Sequence, residues 1–484
     1  MSPSVNGNEI QDADKPVKSG DLPPAVEDRP PKVLISGAGL SGLFLANLLE
    51  VAGIPYAIFE RAKEVLPLGS IICLTANILP AFEQLGIYDE LMKFAYPCLA
   101  STFYSSKLEV IGSFRTDDDE KLIGYHRTLF PRPELYQLLL SRIPTEKVHM
   151  SKKLMSFVQN KDGVMVRLQD GSTVHGDILV GADGAHSAVR HNMFEDLLKR
   201  GLLPKADQRK MMKGFICMVG TTDELDPAKF PGVDNPYSVA DLILGDSESP
   251  YSWSIYNTPG NRICWNVIVQ LDVDASEDEQ FRNSEWSATT NESLIKEVYE
   301  FKTPFGKLGD LIDKTPRDRI SKVFLEDILY QTWSHGRAVI IGDAAHKLLP
   351  STGQGAVNGL QDAVILANCL YDLRPLSYEG IQETLKDFQA QRFSHVKTQY
   401  EASQFNAKLR YGHTFLERTL RHVVFNYMPK SIQMKQLLKD SAYRPQIAFL
   451  PEFPKKGSSA VLPQKPSKRY MEEQKKKAQA QTQQ

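Results

Sequence analysis

The sequence predicts an α/β protein: a βαβ unit, an antiparallel sheet set into it, and helices that close the chain. Three observations predict it. A short apolar strand, Val33-Leu34-Ile35-Ser36, runs into Gly37-Ala38-Gly39-Leu40-Ser41-Gly42 and then a helix. A second strand, Gly-rich loop and helix start recur at Ile340-Ile341-Gly342-Asp343 through Gly353-Gln354-Gly355 to Ala363. Between them, from Gly214 to about Leu271, helical periodicity gives way to short apolar runs punctuated by turns such as Thr258-Pro259-Gly260.

Composition narrows the function classes. The chain has 484 residues, 42% apolar and 24% charged, with a net charge of −2. That is material for several domains and a large core, without the basic excess expected of a nucleic-acid binder. The five cysteines are dispersed, with no C-x-x-C pair, so reduced thiols are expected rather than a disulfide framework or a zinc site. No apolar run reaches the roughly 18–20 residues of a membrane span, and no secretory signal opens the sequence. A cytoplasmic protein is expected, with peripheral membrane contact open. Oligomeric state has no sequence signal. Residues 1–31, rich in Pro, Asp, Ser and Gly, read as a disordered leader.

Order begins at Lys32. The glycines Gly37, Gly39 and Gly42 follow a strand and open a helix through Phe44, Leu45, Leu48 and Leu49; Gly53-Ile54-Pro55 ends it, and Tyr56 to Phe59 form a second strand closed by Glu60. This is a dinucleotide fingerprint in its required context, with an acid about 20 residues on for a ribose. Arg61 beside it suits an adenine or phosphate contact, or simply solvent. Spacing alone does not separate FAD from NAD. Further on, Arg132 opens an amphipathic helix (Leu135, Leu138, Leu139) with Pro133 in its first turn; its planar fork suits a pyrophosphate, and a plain surface arginine is the alternative. Val164 to Leu168, the turn Asp170-Gly171 and Thr173 to His175 signal a hairpin. It feeds Asp177 to Val180 and then Gly181-Ala182-Asp183-Gly184-Ala185-His186-Ser187-Ala188-Val189-Arg190.

In the middle segment, strands are expected at Phe215–Val219, Val239–Leu244, Ser252–Tyr256 and Arg262–Val269. Trp253, Trp265, Phe215 and Tyr256 would line or support a pocket, core packing being the stronger claim for each. Residues 273–318 are acidic and then helical, a covering segment. The Ile340 stretch suits two readings equally: backbone amides at a helix start aimed at an electron-rich or anionic ligand, with Asp343 placed to accept from its hydroxyls, or a plain αβ connection whose glycines serve tight turning. His346 reads as loop support rather than a proton carrier. A long helical stretch runs from Leu385 past Leu409 and Leu416 to Tyr427, its second part basic, and from Lys455 the Lys/Gln-rich chain reads as disordered.

The pattern G-D-A-A-H…P…G-Q-G…D-A at 342–363, with the two upstream motifs in order, resembles the FAD-dependent aromatic hydroxylases and epoxidases, the single-component flavoprotein monooxygenases, and fungal members in particular. The resemblance covers about residues 32–450. It implies a Rossmann-like FAD-binding domain (32–200 and 321–375), an inserted antiparallel β-sheet substrate domain (201–320), a C-terminal helical region (376–454) and a tail (455–484). It further implies that Gly37, Gly39, Gly42, Glu60, Arg61, Arg132 and Asp183 bind FAD. Asp343 would hold the ribityl chain, with Pro350, Gly353, Gly355 and Ala356 along the isoalloxazine. Cys73 stands where the family keeps a small residue, so its contact would be through backbone. Cys264 precedes Trp265 where some fungal epoxidases have Tyr, so no catalytic Tyr is carried over.

By that resemblance, NAD(P)H reduces the flavin, O2 adds at C4a, and the hydroperoxide passes one oxygen to a small, largely apolar aromatic, terpenoid or polyketide-like substrate. No triad and no metal cluster is legible, and no catalytic base is assigned. A halogenase is disfavoured because Trp253-Ser254-Ile255 lacks the Trp-x-Trp-x-Ile-Pro segment. A flavin-dependent reductase of prenyl double bonds and a non-catalytic FAD-binding interaction protein are the alternatives.

Overall fold

Val33–Ser36 is the inner strand of a six-stranded sheet in the order Ser334–His335, Ala338–Ile340, Ile178–Gly181, Val33–Ser36, Tyr56–Phe59, Val148–His149. The computed structural model describes residues 29–64, 71–116, 118–245, 251–270, 288–411 and 414–482. All pairings in this sheet are parallel except the edge hairpin that adds Ser334–His335. Its central strands are buried on both faces, which is why they read as apolar runs rather than alternating ones.

Helix Leu40–Ala52 packs against Gly355–Asp372 and Arg132–Ser141. The approach is close: a Cβ on Gly42 would sit 2.1 Å from the Gly37 carbonyl oxygen, and one on Gly359 would sit 2.3 Å from Ser41 Oγ. Gly42 is therefore the helix-to-turn packing glycine of the fingerprint.

The second sheet is wider than the expected insertion. Its order is His346–Lys347, Ser321–Leu329, Met212–Thr221, Arg262–Gln270, Tyr251–Thr258, Ser238–Leu244, Tyr96–Ser105, Thr128–Pro131, Ile71–Leu74, with Val110–Arg115 also paired to Tyr96–Ser105. The four expected strands are all present. The sheet is antiparallel apart from the parallel junction of Ser238–Leu244 with Tyr96–Ser105. Strands from before residue 201 and after residue 320 complete it. Tyr96–Ser105 is only partly covered along most of its length, so it shows neither clean alternation nor an apolar run.

Alternate residues face two different cores. Trp253, Ile255, Trp265, Val267 and Met218 pack outward under helices Ala288–Val298 and Leu308–Ile312, the expected covering segment. The two indole N–H groups donate to the Lys302 carbonyl and Thr315 Oγ1, both at 2.9 Å. Phe215, Cys217, Val219, Tyr256 and Cys264 face the other way. Of the four aromatics expected to line or support a pocket, with core packing the stronger claim for each, the tryptophans pack in the outer core and Phe215 and Tyr256 lie on the inner face.

The C-terminal part differs from its expected course. Helix Tyr378–Tyr411 is followed by a separate helix, Phe415–Tyr427, begun by a capping box in which Thr414 and Glu417 bond reciprocally. The apolar period carries across this break, which hides it in the sequence. The tail expected to be disordered forms helix Lys468–Thr482. Lys and Gln are good helix formers despite their polarity, and the helix is anchored by Ser467 Oγ to Asp372 Oδ1 (2.5 Å) and Tyr371 OH to Glu473 Oε2 (2.6 Å). Residues 1–28 of the leader and the acidic run 271–287 lie outside the described residues. Arg29, at the leader's end, is ion-paired with Asp177.

Gly42→Ala is expected to destabilise the protein by roughly 2–4 kcal/mol, because a backbone oxygen occupies the position of the new Cβ. Thermal unfolding checks this; an unchanged melting temperature would mean the turn and helix have room to separate.

Candidate functional site

The fingerprint turn exposes a bare helix end. Gly39, the residue before helix Leu40–Ala52, is extended and has no side-chain cap, and a Cβ placed on it would meet nothing within 4 Å. The first-turn amides thus face open space, the arrangement that receives a phosphate. Gly37, at φ +104°, brings the turn under Ala182. Glu60 is fixed by two backbone donors, Ala38 N at 2.8 Å and Ala62 N at 2.9 Å. Arg61 is exposed.

Asp183 follows Ile178–Gly181. Its Oδ2 accepts from Ala188 N at 2.8 Å and Ser36 Oγ at 3.3 Å, while Oδ1 is buried without a partner. Burial raises its pKa against the opposing pull of these donors. An orphaned buried carboxylate oxygen beside the glycine turn fits a bound donor. Arg190 of the same motif is not a surface charge. It is 2% exposed, and it donates to the Ala344 carbonyl (2.8 Å) and the Ala185 carbonyl (2.6 Å), tying this motif to the third one.

The Ile340 stretch crosses the other two. Asp343 Oδ2 accepts from Lys347 Nζ at 2.7 Å. Burial raises the Asp343 pKa, but the Lys347 ammonium, with His346 and Arg132 adding to it, outweighs that and holds the carboxyl below its usual range. Half-buried Arg132, far away in sequence, shares this field: burial lowers its pKa and the charge of Asp343 opposes the shift. The turn Pro350–Thr352 ends at Gly353 with φ +67°, whose Cβ would lie 3.9 Å from Cys73 Cβ. A Cβ on Gly355 would meet nothing within 4 Å, and helix Gly355–Asp372 starts with no side-chain cap. Half-buried Ala356 packs on the main core. Cys73 is held as a neutral thiol, its pKa pushed up to about 12, chiefly by burial, consistent with a small packing residue.

Sequence reasoning missed what fixes this loop. Asp362, fully buried, accepts at Oδ2 from Gly342 N (2.9 Å) and meets His346 Nε2 there at 2.6 Å; its Oδ1 accepts from Arg392 Nε at 2.7 Å. Arg392, also fully buried, reaches Asn358 Oδ1 at 3.0 Å. Asp362 stands in the quoted pattern without a role there. Arg392 had one faint signal, a charge on the apolar stripe of Leu385, Phe388 and Val396. Gln361 and Asn77 were also missed: Gln361 Nε2 donates to the Asn77 carbonyl at 2.9 Å, joining the Cys73 strand end to the Gly355 helix. His346 takes the supporting part expected of it, 1% exposed beneath the loop.

Opposite the loop stands the inner face of the second sheet. Leu349 and Ile71 pack in one cluster with Phe215, Val219, Tyr256, Cys264 and Leu325, closed by Tyr411 and Ala407 of the long helix. No cluster of His, Cys, Asp or Glu that could hold a metal occurs among the described residues.

Two uncapped helix ends, an orphaned Asp183 oxygen, a glycine-floored loop and an apolar facing sheet fit the phosphate, hydroxyl and flat ring parts of a flavin dinucleotide. The fold and groove are those of an FAD-binding flavoprotein. The profile of the FAD binding domain family matches residues 31–200 and 307–403. The chain is 28% identical over 432 residues to the FAD-dependent monooxygenase atmM of Aspergillus flavus, covering 87% of each. It is 29% identical over 388 residues to the FAD-dependent monooxygenase ptmM of Penicillium ochrochloron, covering 77% of this chain and 87% of that one. Among solved structures it is similar to Klebsiella pneumoniae HpxO complexed with FAD and uric acid, with TM-score 0.70 and 22% identity over 86% of this chain and 97% of that one. The chain belongs to the FAD binding domain family, as an FAD-dependent monooxygenase of the aromatic-hydroxylase type.

Asp362→Ala is expected to destabilise the protein by about 3–5 kcal/mol, because it strands the buried Arg392. Asp362 itself has a depressed pKa: burial raises it, and His346 and Arg392 more than offset that. A group depressed in the folded state contributes stability that is present above its unfolded value, near 4, and lost as pH falls through the folded one. Asp362→Asn should therefore flatten the acid limb of a stability–pH curve below about pH 4; an unchanged limb would place the titration elsewhere.

Proposed function

We propose that this protein uses NAD(P)H and O2 to hydroxylate or epoxidise a small, largely apolar substrate of aromatic, terpenoid or polyketide type. The observation that carries the reading is the apolar inner sheet face opposing the Leu349–Gly355 loop. FAD, when bound, supplies the electron transfer from NAD(P)H and the delivery of one oxygen atom from O2.

In this reading the amides after Gly39, with Arg132, receive the pyrophosphate, and Glu60, already oriented by two amides, accepts from the adenosine ribose. Asp343 accepts from the ribityl hydroxyls, and Asp183 uses its unpaired oxygen on the cofactor side. Pro350, Gly353, Gly355 and Ala356 lie along the ring, with Cys73 contributing backbone. Gly37 and Gly42 shape the turn, and Arg61 borders the adenosine end. The sheet face keeps water from the reacting centre and aligns the substrate. Tyr256, half-buried with Ser254 and Asn266 as hydrogen-bonding neighbours, is the polar group on that face, and Asn266 Oδ1 is buried without a partner. That orphan favours a substrate carrying one hydroxyl or amide N–H on an otherwise apolar body.

The first test is the visible spectrum of the purified protein. An oxidised-flavin spectrum that bleaches with NADPH in air-free buffer and returns with O2 is expected; a colourless protein that FAD cannot reconstitute would overturn the reading. A saturated product formed at the expense of NADPH, with no substrate-coupled oxygen uptake, would favour the prenyl reductase. Asp343→Ala should weaken FAD binding about 10- to 100-fold, the weight of a charge-assisted hydrogen bond, as read by fluorescence titration. Tyr256→Phe should raise KM roughly tenfold with FAD affinity unchanged; equal loss of both would assign Tyr256 to the fold instead.

A further inference from the structure

Helix Phe415–Tyr427 is mounted with its apolar face outward. Leu416 is 78% exposed and Tyr427 70%, with Leu420 and Val423 between them also exposed; the spacing i, i+4, i+7, i+11 sets all four on one stripe. Phe415, at 74%, extends it. The opposite side is bound to the protein by a charged residue and one ring. Arg421 is buried and donates to the Gly245 carbonyl at 3.1 Å, and Phe425 packs on Phe103 at 4.6 Å and Phe114 at 5.9 Å. A surface helix of a globular protein normally does the reverse. The next helix, Lys430–Asp440, also exposes two apolar side chains, Ile432 and Met434.

Charge accompanies this stripe. Between Tyr411 and Lys439 the sequence carries Arg418, Arg421, Lys430, Lys435 and Lys439 against one acid, Glu417, in a chain whose net charge is −2. Glu417 is engaged in the capping box with Thr414. Lys435 and Lys439 are exposed beside Ile432 and Met434. Two copies of the chain meeting through this face would bring those like charges together, which disfavours self-association. An apolar stripe flanked by exposed lysines matches a lipid surface with anionic headgroups, where the stripe sits among the upper acyl chains and the lysines meet the headgroups. No helix among the described residues is long and apolar enough to cross a membrane, so such a contact lies on the bilayer.

We propose that the outward face of Phe415–Tyr427, with Ile432, Met434, Lys435 and Lys439, docks the protein peripherally on an anionic lipid bilayer. The test is flotation of the full-length protein with vesicles of phosphatidylcholine, with and without phosphatidylserine. Flotation with the phosphatidylserine vesicles is expected, falling as salt is raised. The double variant Leu416→Glu/Leu420→Glu should lose at least about tenfold in bound fraction while keeping the wild-type melting temperature, since both side chains are exposed. Lys435→Glu/Lys439→Glu should remove the salt-sensitive part. Failure of the wild-type protein to float with either vesicle overturns the proposal, and equal flotation with both overturns the assignment to anionic headgroups. A wild-type dimer that the leucine variant converts to monomer, without flotation, assigns the face to a second copy and overturns it too.

Discussion

The carboxylate of Asp362 is fully buried and has three polar partners, and the third motif is built on it. One oxygen receives the amide of Gly342 and the His346 ring; the other receives Arg392. A charge this deep is tolerated only when fully paired, so the strand end at Gly342, the helix Gly355–Asp372 and the helix Tyr378–Tyr411 must meet in one arrangement. Asp343 is the next residue after Gly342 and Lys347 the next after His346. The Asp343–Lys347 pair that faces the groove is thus set by a buried ion pair one layer below it. Loops that carry function are otherwise free to wander, and this one is held at its base by charge.

The same logic joins the three motifs. Arg190 of the second motif donates to one carbonyl of its own motif and one of the third, and Gly359 admits Ser41 of the first helix at a distance where any side chain would collide. Motifs more than a hundred residues apart therefore converge through backbone approaches and buried side-chain donors. That convergence makes the groove a property of the whole parallel sheet, whereas each motif alone would be a turn.

The opening βαβ unit was legible because its signals are local: a buried strand, a glycine turn, a helix and an acid at a fixed interval. The four middle strands were legible for the same reason, and the loop from Gly342 to Ala363 through its glycines and Asp343. What stayed hidden was relational. Trp253 and Phe215 look alike as aromatic strand residues, yet they belong to opposite faces of a sheet covered on both sides, so polarity could not rank them. Arg190 and Arg392 read as ordinary helix arginines, since nothing in a single sequence reports which backbone carbonyls or carboxylates will surround them. The tail from Lys455 was misread because low apolar content argues against a core, and this helix has none; side-chain bonds from Ser467 and Glu473 hold it instead.

Acids and an anionic cofactor share one groove, and the charge pattern reconciles them. Glu60 spends its oxygens on the amides of Ala38 and Ala62, and Asp343 is neutralised by Lys347 at 2.7 Å. Neither presents a bare negative charge to an incoming phosphate. The two uncapped helix ends and half-buried Arg132 remain as the positive field, each acting over a few ångströms in a partly dehydrated cleft where such interactions are strongest. Each acid keeps lone pairs for hydroxyl donors while its charge is answered locally. On the proposed assignment, Glu60 and Asp343 would read ribose and ribityl hydroxyls without repelling the pyrophosphate between them, which accounts for both acids being anchored beside bare helix ends.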